Sequence, residues 1–86
     1  MPGKIDILVV EDDEDINQLL CKIIKKSGYY PQSAYSGTEA IMYLEKQNWD
    51  IILLDLMLPG MDGEAVLEKI REQGVMPVII LSAKNE

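Results

Sequence analysis

Acidic residues carry most of the chemistry available to this sequence. Glu11-Asp12-Asp13 directly follow the apolar run "ILVV", Asp55 ends the apolar run "IILL", and Ser82 follows "PVIIL". In an open parallel sheet, sites form at the carboxyl ends of the strands. Three acids, a fourth acid and a hydroxyl then gather on one rim. Two carboxylates about 5 Å apart at an effective dielectric of about 20 repel by roughly 3 kcal/mol. A proton, a lysine or a divalent cation must offset that repulsion. The chain has no histidine and a single cysteine, Cys21. Hard carboxylate oxygens of this kind select Mg²⁺, Ca²⁺ or Mn²⁺ over zinc or copper. Asp55 presents one carboxylate at the end of an otherwise apolar strand, which makes it a candidate nucleophile toward a phosphoryl group. Each feature also has a plain structural alternative. An acidic run before a helix suits the helix dipole, and an aspartate after a strand can cap a turn.

Alternation of apolar runs with amphipathic stretches supplies the frame. Lys4 to Val10 reads as a strand, and Glu14 to Lys26 as a helix with Ile16, Leu19, Leu20, Ile23 and Ile24 as its core stripe. Ser27-Gly28 stops that helix. Pro31 to Tyr35 is a weak edge strand. Ser36-Gly37-Thr38-Glu39 is a capping box opening a helix with Ala40, Ile41 and Leu44 inward. Ile51 to Leu54 is apolar on both faces and belongs at the sheet centre. Pro59 to Gly63 is turn-rich, a third helix carries Val66, Leu67 and Ile70 inward, and Pro77 to Leu81 is another two-faced strand. The order β-α-β-α-β-α-β predicts an α/β doubly wound parallel sheet, because right-handed crossovers put helices on both faces. Trp49, at the opposite end from the acids, is expected to be structural, and Cys21 to be a packing or surface thiol.

Eighty-six residues make one domain, 1–86, and the net charge of −7 disfavours contact with nucleic acid or anionic membrane. The first residues lack an apolar signal core, and no apolar run is long enough to span a membrane, so a cytoplasmic protein is expected.

"VVEDD" at 9–13, "LLDLMLPGMDG" at 53–63 and "VIILSA" at 78–83 together resemble the receiver domain of two-component response regulators. The resemblance implies a flavodoxin-like sheet of strand order 2-1-3-4. It implies that Asp55 is the phosphoacceptor for a histidine kinase. Asp12 and Asp13 would hold Mg²⁺ (or Mn²⁺), Asp13 the more directly, with Asp55 and the Met57 carbonyl as further ligands. Ser82 would be the switch hydroxyl, and the Ala83 N–H would help bind phosphoryl oxygens. "LMLPGMDG" and "GYYPQSAYSGTEA" look closest to the subfamily with a winged-helix DNA-binding output domain. Receiver domains continue with a fourth helix, a fifth strand bearing a lysine, and a fifth helix. On this resemblance the chain is a C-terminally truncated receiver, lacking α4-β5-α5, whose full switching is not expected. Its fourth strand becomes an uncovered edge, and self-association through that edge is expected.

Other functions fit less well. A non-switching Mg²⁺-binding or protein-interaction module of the same fold is the main alternative. An aspartyl phosphatase wants an acid two residues after its nucleophile, where this chain has Met57. A dinucleotide site wants a glycine-rich first turn, where this chain has "EDDED". No separate substrate turnover is expected.

Overall fold

The computed structural model describes residues 3–82, with Ser82 described by its backbone alone. Seven elements alternate as expected: β1 (Asp6–Val10), α1 (Glu14–Lys26), β2 (Tyr30–Ala34), α2 (Gly37–Lys46), β3 (Ile51–Asp55), α3 (Gly63–Gln73) and β4 (Val78–Ser82). Every strand pair is parallel, in the order β2-β1-β3-β4. This is the flavodoxin-like winding with β1 and β3 at the centre.

Local chemistry sets the boundaries. The Asp13 carboxylate caps α1, with Oδ1 accepting from the Ile16 N–H at 3.0 Å. Lys25 and Lys26 lie in the helix's last turn, and Gly28 leaves it at φ +91°. Ser36 caps α2 by accepting from the Glu39 N–H at 3.1 Å. The Glu39 carboxylate reaches back one residue further than the usual reciprocal pair, accepting from the Tyr35 N–H at 2.7 Å. Asp62 caps α3 through the Glu64 N–H.

The core has two layers. Leu8, Val10, Ile52 and Leu54 face α2 and α3, where Ala40, Leu44, Val66 and Ile70 close over them. Ile7 and Val9 face α1 and pack with Ile24, flanked by Leu20 and Cys21. Trp49 is buried in the first layer and donates its Nε1–H to the Tyr43 carbonyl at 2.9 Å, a structural role as expected.

One expectation needs correction. The α1 stripe is core only in part. Ile24 is buried and Leu20 half-buried, but Ile16, Leu19 and Ile23 are 47%, 56% and 52% exposed. The helix meets the sheet along a narrower line than its apolar stripe. The sheet-facing positions are 17, 20, 21 and 24, the i, i+3, i+4, i+7 set. At β4 the expected uncovered edge is present among the described residues, with Ile79 52% and Ile80 40% exposed.

Candidate functional site

The sheet register builds the site. β1 and β3 run level, with Val9 opposite Leu53 and Val10 opposite Leu54. The next residue of each strand is an acid, so Glu11 and Asp55 emerge side by side. β4 needs an adjustment to join them. Leu54 pairs with Ile80, but Asp55 pairs with Ser82, which leaves Leu81 as an extra residue. That bulge brings the Ser82 backbone level with Asp55; bulges commonly re-aim a strand end in this way.

Carboxylate oxygens of Glu11, Asp12 and Asp55 all lie within 4.8 Å of one another. Glu11 and Asp55 are buried, whereas Asp12 is exposed. Asp55 Oδ1 accepts from the Met57 N–H at 2.9 Å, which turns the chain sharply after β3. Glu11 Oε2 accepts from the Asp13 N–H at 3.0 Å. Beside the acids an open cleft of about 460 Å³ is bordered by Asp12, Leu56, Met57, Leu58, Pro59 and Asp62.

The electrostatics mark the cluster as one that wants a positive charge. Burial is the largest cause holding the Glu11 carboxyl above its ordinary range. The hydrogen bond from Asp13 opposes this, while the Asp55 charge and hydrogen bonds with Asp55 and Asp12 reinforce it. Carboxyls hydrogen-bond to each other only when one holds a proton. A divalent cation could take the place of that proton. The donor set is all oxygen, part carboxylate and open to water on one side, which suits Mg²⁺.

Of the expected site residues, the structure brings Asp12 and Asp55 together and sets Met57 at the cleft. Asp13 is not in the carboxylate cluster; it caps α1 instead. Glu11 takes the third position, although the sequence reading gave it no metal role. The usable signal was the strand register: Glu11, not Asp13, is the first residue past four apolar positions, as Asp55 is. Ser82 reaches the site by its backbone, and Ala83 lies outside the described residues.

Behind the acids lies a residue that sequence reasoning passed over. Asn17 is fully buried on α1, and its amide touches the ends of both β1 and β2. A polar residue at a sheet-facing helical position was the available signal.

Comparison with known proteins gives a consistent picture. Residues 7–86 match the family model described as the response regulator receiver domain. The transcriptional regulatory protein ResD of Bacillus subtilis is 45% identical over 80 residues, covering 93% of this chain and 33% of ResD. The chain spans about a third of the length of the curated relatives it matches. Among solved structures, the receiver domain of a Francisella response regulator superposes with a TM-score of 0.85 at 34% identity, covering 96% of this chain and 69% of that one. The Thermotoga maritima response regulator TrrA, solved in complex with Mg²⁺ and BeF, gives a TM-score of 0.80 at 29% identity, covering 92% of this chain and 71% of that one.

Proposed function

The chain belongs to the response regulator receiver domain family, and from that premise we propose that Asp55 accepts a phosphoryl group from a histidine kinase. Receiver domains are signalling modules and not substrate-turnover enzymes. The observation that carries the residue assignment is the cluster of Glu11, Asp12 and Asp55 within 4.8 Å, with Asp55 at the end of the central strand.

A carboxylate oxygen of Asp55 attacks phosphorus, and the bond to the donor's imidazole nitrogen breaks with its electron pair staying on nitrogen. Such transfer depends on positioning and charge stabilisation more than on covalent help from the protein. The Met57 N–H positions Asp55 by holding Oδ1. Asp12, Asp55 and the Met57 carbonyl form the proposed Mg²⁺ ligand set, with Glu11 beside them, and Asp13 serves as the helix cap. Mg²⁺ supplies charge neutralisation, letting an anionic donor approach an acidic rim. The liganded state of TrrA favours this reading, since Mg²⁺ with BeF is what that similar response regulator holds. The backbone register of Ser82 with Asp55 supports Ser82 as the switch hydroxyl, with the N–H of Ala83, which lies outside the described residues, as a hydrogen-bond donor to the phosphoryl oxygens.

We further propose that residues 1–86 act as one receiver unit, cytoplasmic, whose parent chain carries a DNA-binding output domain of the winged-helix kind. The transcriptional role named for ResD supports the output assignment. Among the described residues, no helix is long and apolar enough to cross a membrane. The half-exposed Ile79 and Ile80 on edge strand β4 favour self-association through that edge.

The test is direct. Incubation with a small phosphodonor and Mg²⁺ should add one phosphoryl mass, lost in Asp55→Asn and on chelation of the metal. A wild-type chain that binds Mg²⁺ but gains no mass would favour the non-switching module instead.

A further inference from the structure

We propose that Asn17 is a positioning residue of the acidic site, a buried side chain that fixes the backbone carrying Glu11, Asp12 and Asp13. This rests on the reading of that cluster as the Mg²⁺ and phosphoryl site. Asn17 is 0% exposed and occupies a sheet-facing place on α1, where Leu20 and Ile24 pack by apolar contact. A buried polar residue at such a place breaks the local pattern, which is where functional constraints concentrate.

The geometry shows what it holds. Asn17 Nδ2 donates to the Glu11 carbonyl at 3.0 Å, the Val9 carbonyl at 3.2 Å and the Ala34 carbonyl at 3.3 Å. Two N–H groups serve three acceptors, so one is shared. The Asn17 backbone N–H also donates to the Asp13 carbonyl at 2.9 Å. One residue thus grips the peptide on both sides of Asp12. The Glu11 N–H donates to the same Ala34 carbonyl at 3.0 Å, which ties the loop across to β2.

Orientation of the amide is itself fixed. Ser33 Oγ donates to Asn17 Oδ1 at 2.5 Å, and Cys21 Sγ donates to it at 3.4 Å. The carbonyl end therefore faces donors and the amino end faces carbonyl oxygens; a flipped amide would set oxygen against three oxygens. Aspartate would be nearly isosteric but would place a charge against those same carbonyls. Leucine would fill the space and leave the Glu11 and Val9 carbonyls without this donor. The loop would then be free to spread, and the carboxylates would lose the close grouping that a small cation requires.

Mg²⁺ titration by calorimetry on the full chain, with amide hydrogen exchange in metal-free buffer, tests this on Asn17→Leu, Ser33→Ala and a core control, Ile70→Val. Asn17→Leu should weaken Mg²⁺ binding about tenfold or more, the lower range for groups that support metal ligands. Its Glu11 and Asp13 amides should exchange faster relative to those of β3. Ser33→Ala, which keeps every Nδ2 donor but frees the amide's orientation, should move both readouts the same way by less. Ile70→Val, fully buried and two helical turns along α3 from Gly63, should lower global stability and change neither. The inference is overturned if Asn17→Leu and Ser33→Ala change Mg²⁺ affinity and loop protection no more than Ile70→Val does. Should Asn17→Leu fail to fold, Ser33→Ala decides by the same two readouts. A wild-type chain that bound no Mg²⁺ would sink the metal reading of the site, and loop exchange would still decide whether Asn17 is the clamp.

Discussion

Gly63→Ala separates helix propensity from packing because the two predict opposite signs. Gly63 opens α3, and its φ is not positive, so no backbone conformation demands glycine there. By propensity alone alanine should stabilise, by roughly 0.4–1 kcal/mol through the unfolded state. Packing opposes this. A Cβ at position 63 would lie 2.4 Å from Leu56 Cα and 2.7 Å from both the Leu56 carbonyl carbon and oxygen. Carbon pairs normally rest about 3.5–4.0 Å apart, so the backbone must separate by roughly 1 Å. The obstacle is main chain and cannot rotate away as a flexible side chain would. Overpacking of this kind costs about 1–3 kcal/mol. The net expectation is a loss of about 1–2 kcal/mol, or roughly 5–15 °C in Tm for a domain of this size. Separation would also stretch the Gly63 N–H to Leu56 carbonyl bond, already 3.3 Å. Leu56 lies between Asp55 and Met57, so Mg²⁺ affinity should fall with stability. Urea unfolding of metal-free protein at low concentration gives the first number, and calorimetric titration the second. A Gly63→Ala chain as stable as wild type, or more so, would refute the close approach of α3 to the turn after β3.

Three further outcomes are expected. Glu11 has a folded pKa above its ordinary 4.5, so the folded state binds the proton more tightly than the unfolded state. The Glu11 contribution to metal-free stability is then fully present below the unfolded value and is lost as pH rises through the folded one. Glu11→Gln should flatten that fall and raise stability near neutral pH, read as the difference between urea midpoints of variant and wild type; an unchanged profile would contradict it. Ile79→Lys puts a charge on the exposed edge and should shift sedimentation toward monomer; self-association of equal strength would point to another surface. Trp49 precedes β3 while Asp55 ends it, about 20 Å away at strand rise. Its emission should therefore stay constant across a Mg²⁺ titration that calorimetry shows to be saturating.

Much of the architecture was legible because each boundary has a local cause. Ser36 and Glu39 announce α2, the turn-rich Pro59–Gly63 separates β3 from α3, and the two-faced run Ile51–Leu54 places β3 between neighbours. The membership of the carboxylate cluster was less legible. "EDDED" offers several acids in a row, and only strand register tells which of them comes level with Asp55. Register is a long-range property; it depends on pairing between β1 and β3, more than forty residues apart. The bulge at Leu81 is of the same kind, since it exists only in the alignment of β4 against β3.

Helix α1 shows why the phase of a helix matters more to this site than its amphipathicity. Apolar residues at 16, 19, 20, 23 and 24 define a stripe wide enough to allow more than one rotation onto the sheet. Facing 16, 19 and 23 inward would bury more apolar surface and turn Asn17 away from the strands. The structure adopts the other rotation, in which Ile16, Leu19 and Ile23 stay half-exposed and Asn17 is buried. Hydrogen bonds decide between them. With Asn17 inward, its amide meets the Val9, Glu11 and Ala34 carbonyls at the strand ends, and Asp13 sits where its carboxylate caps the helix. Rotating α1 would surrender the side-chain donor to those carbonyls. The phase that leaves apolar surface uncovered is therefore the one that holds Glu11 and Asp12 beside Asp55. Assembly of the acidic rim and exposure of the α1 stripe are two results of one helix rotation.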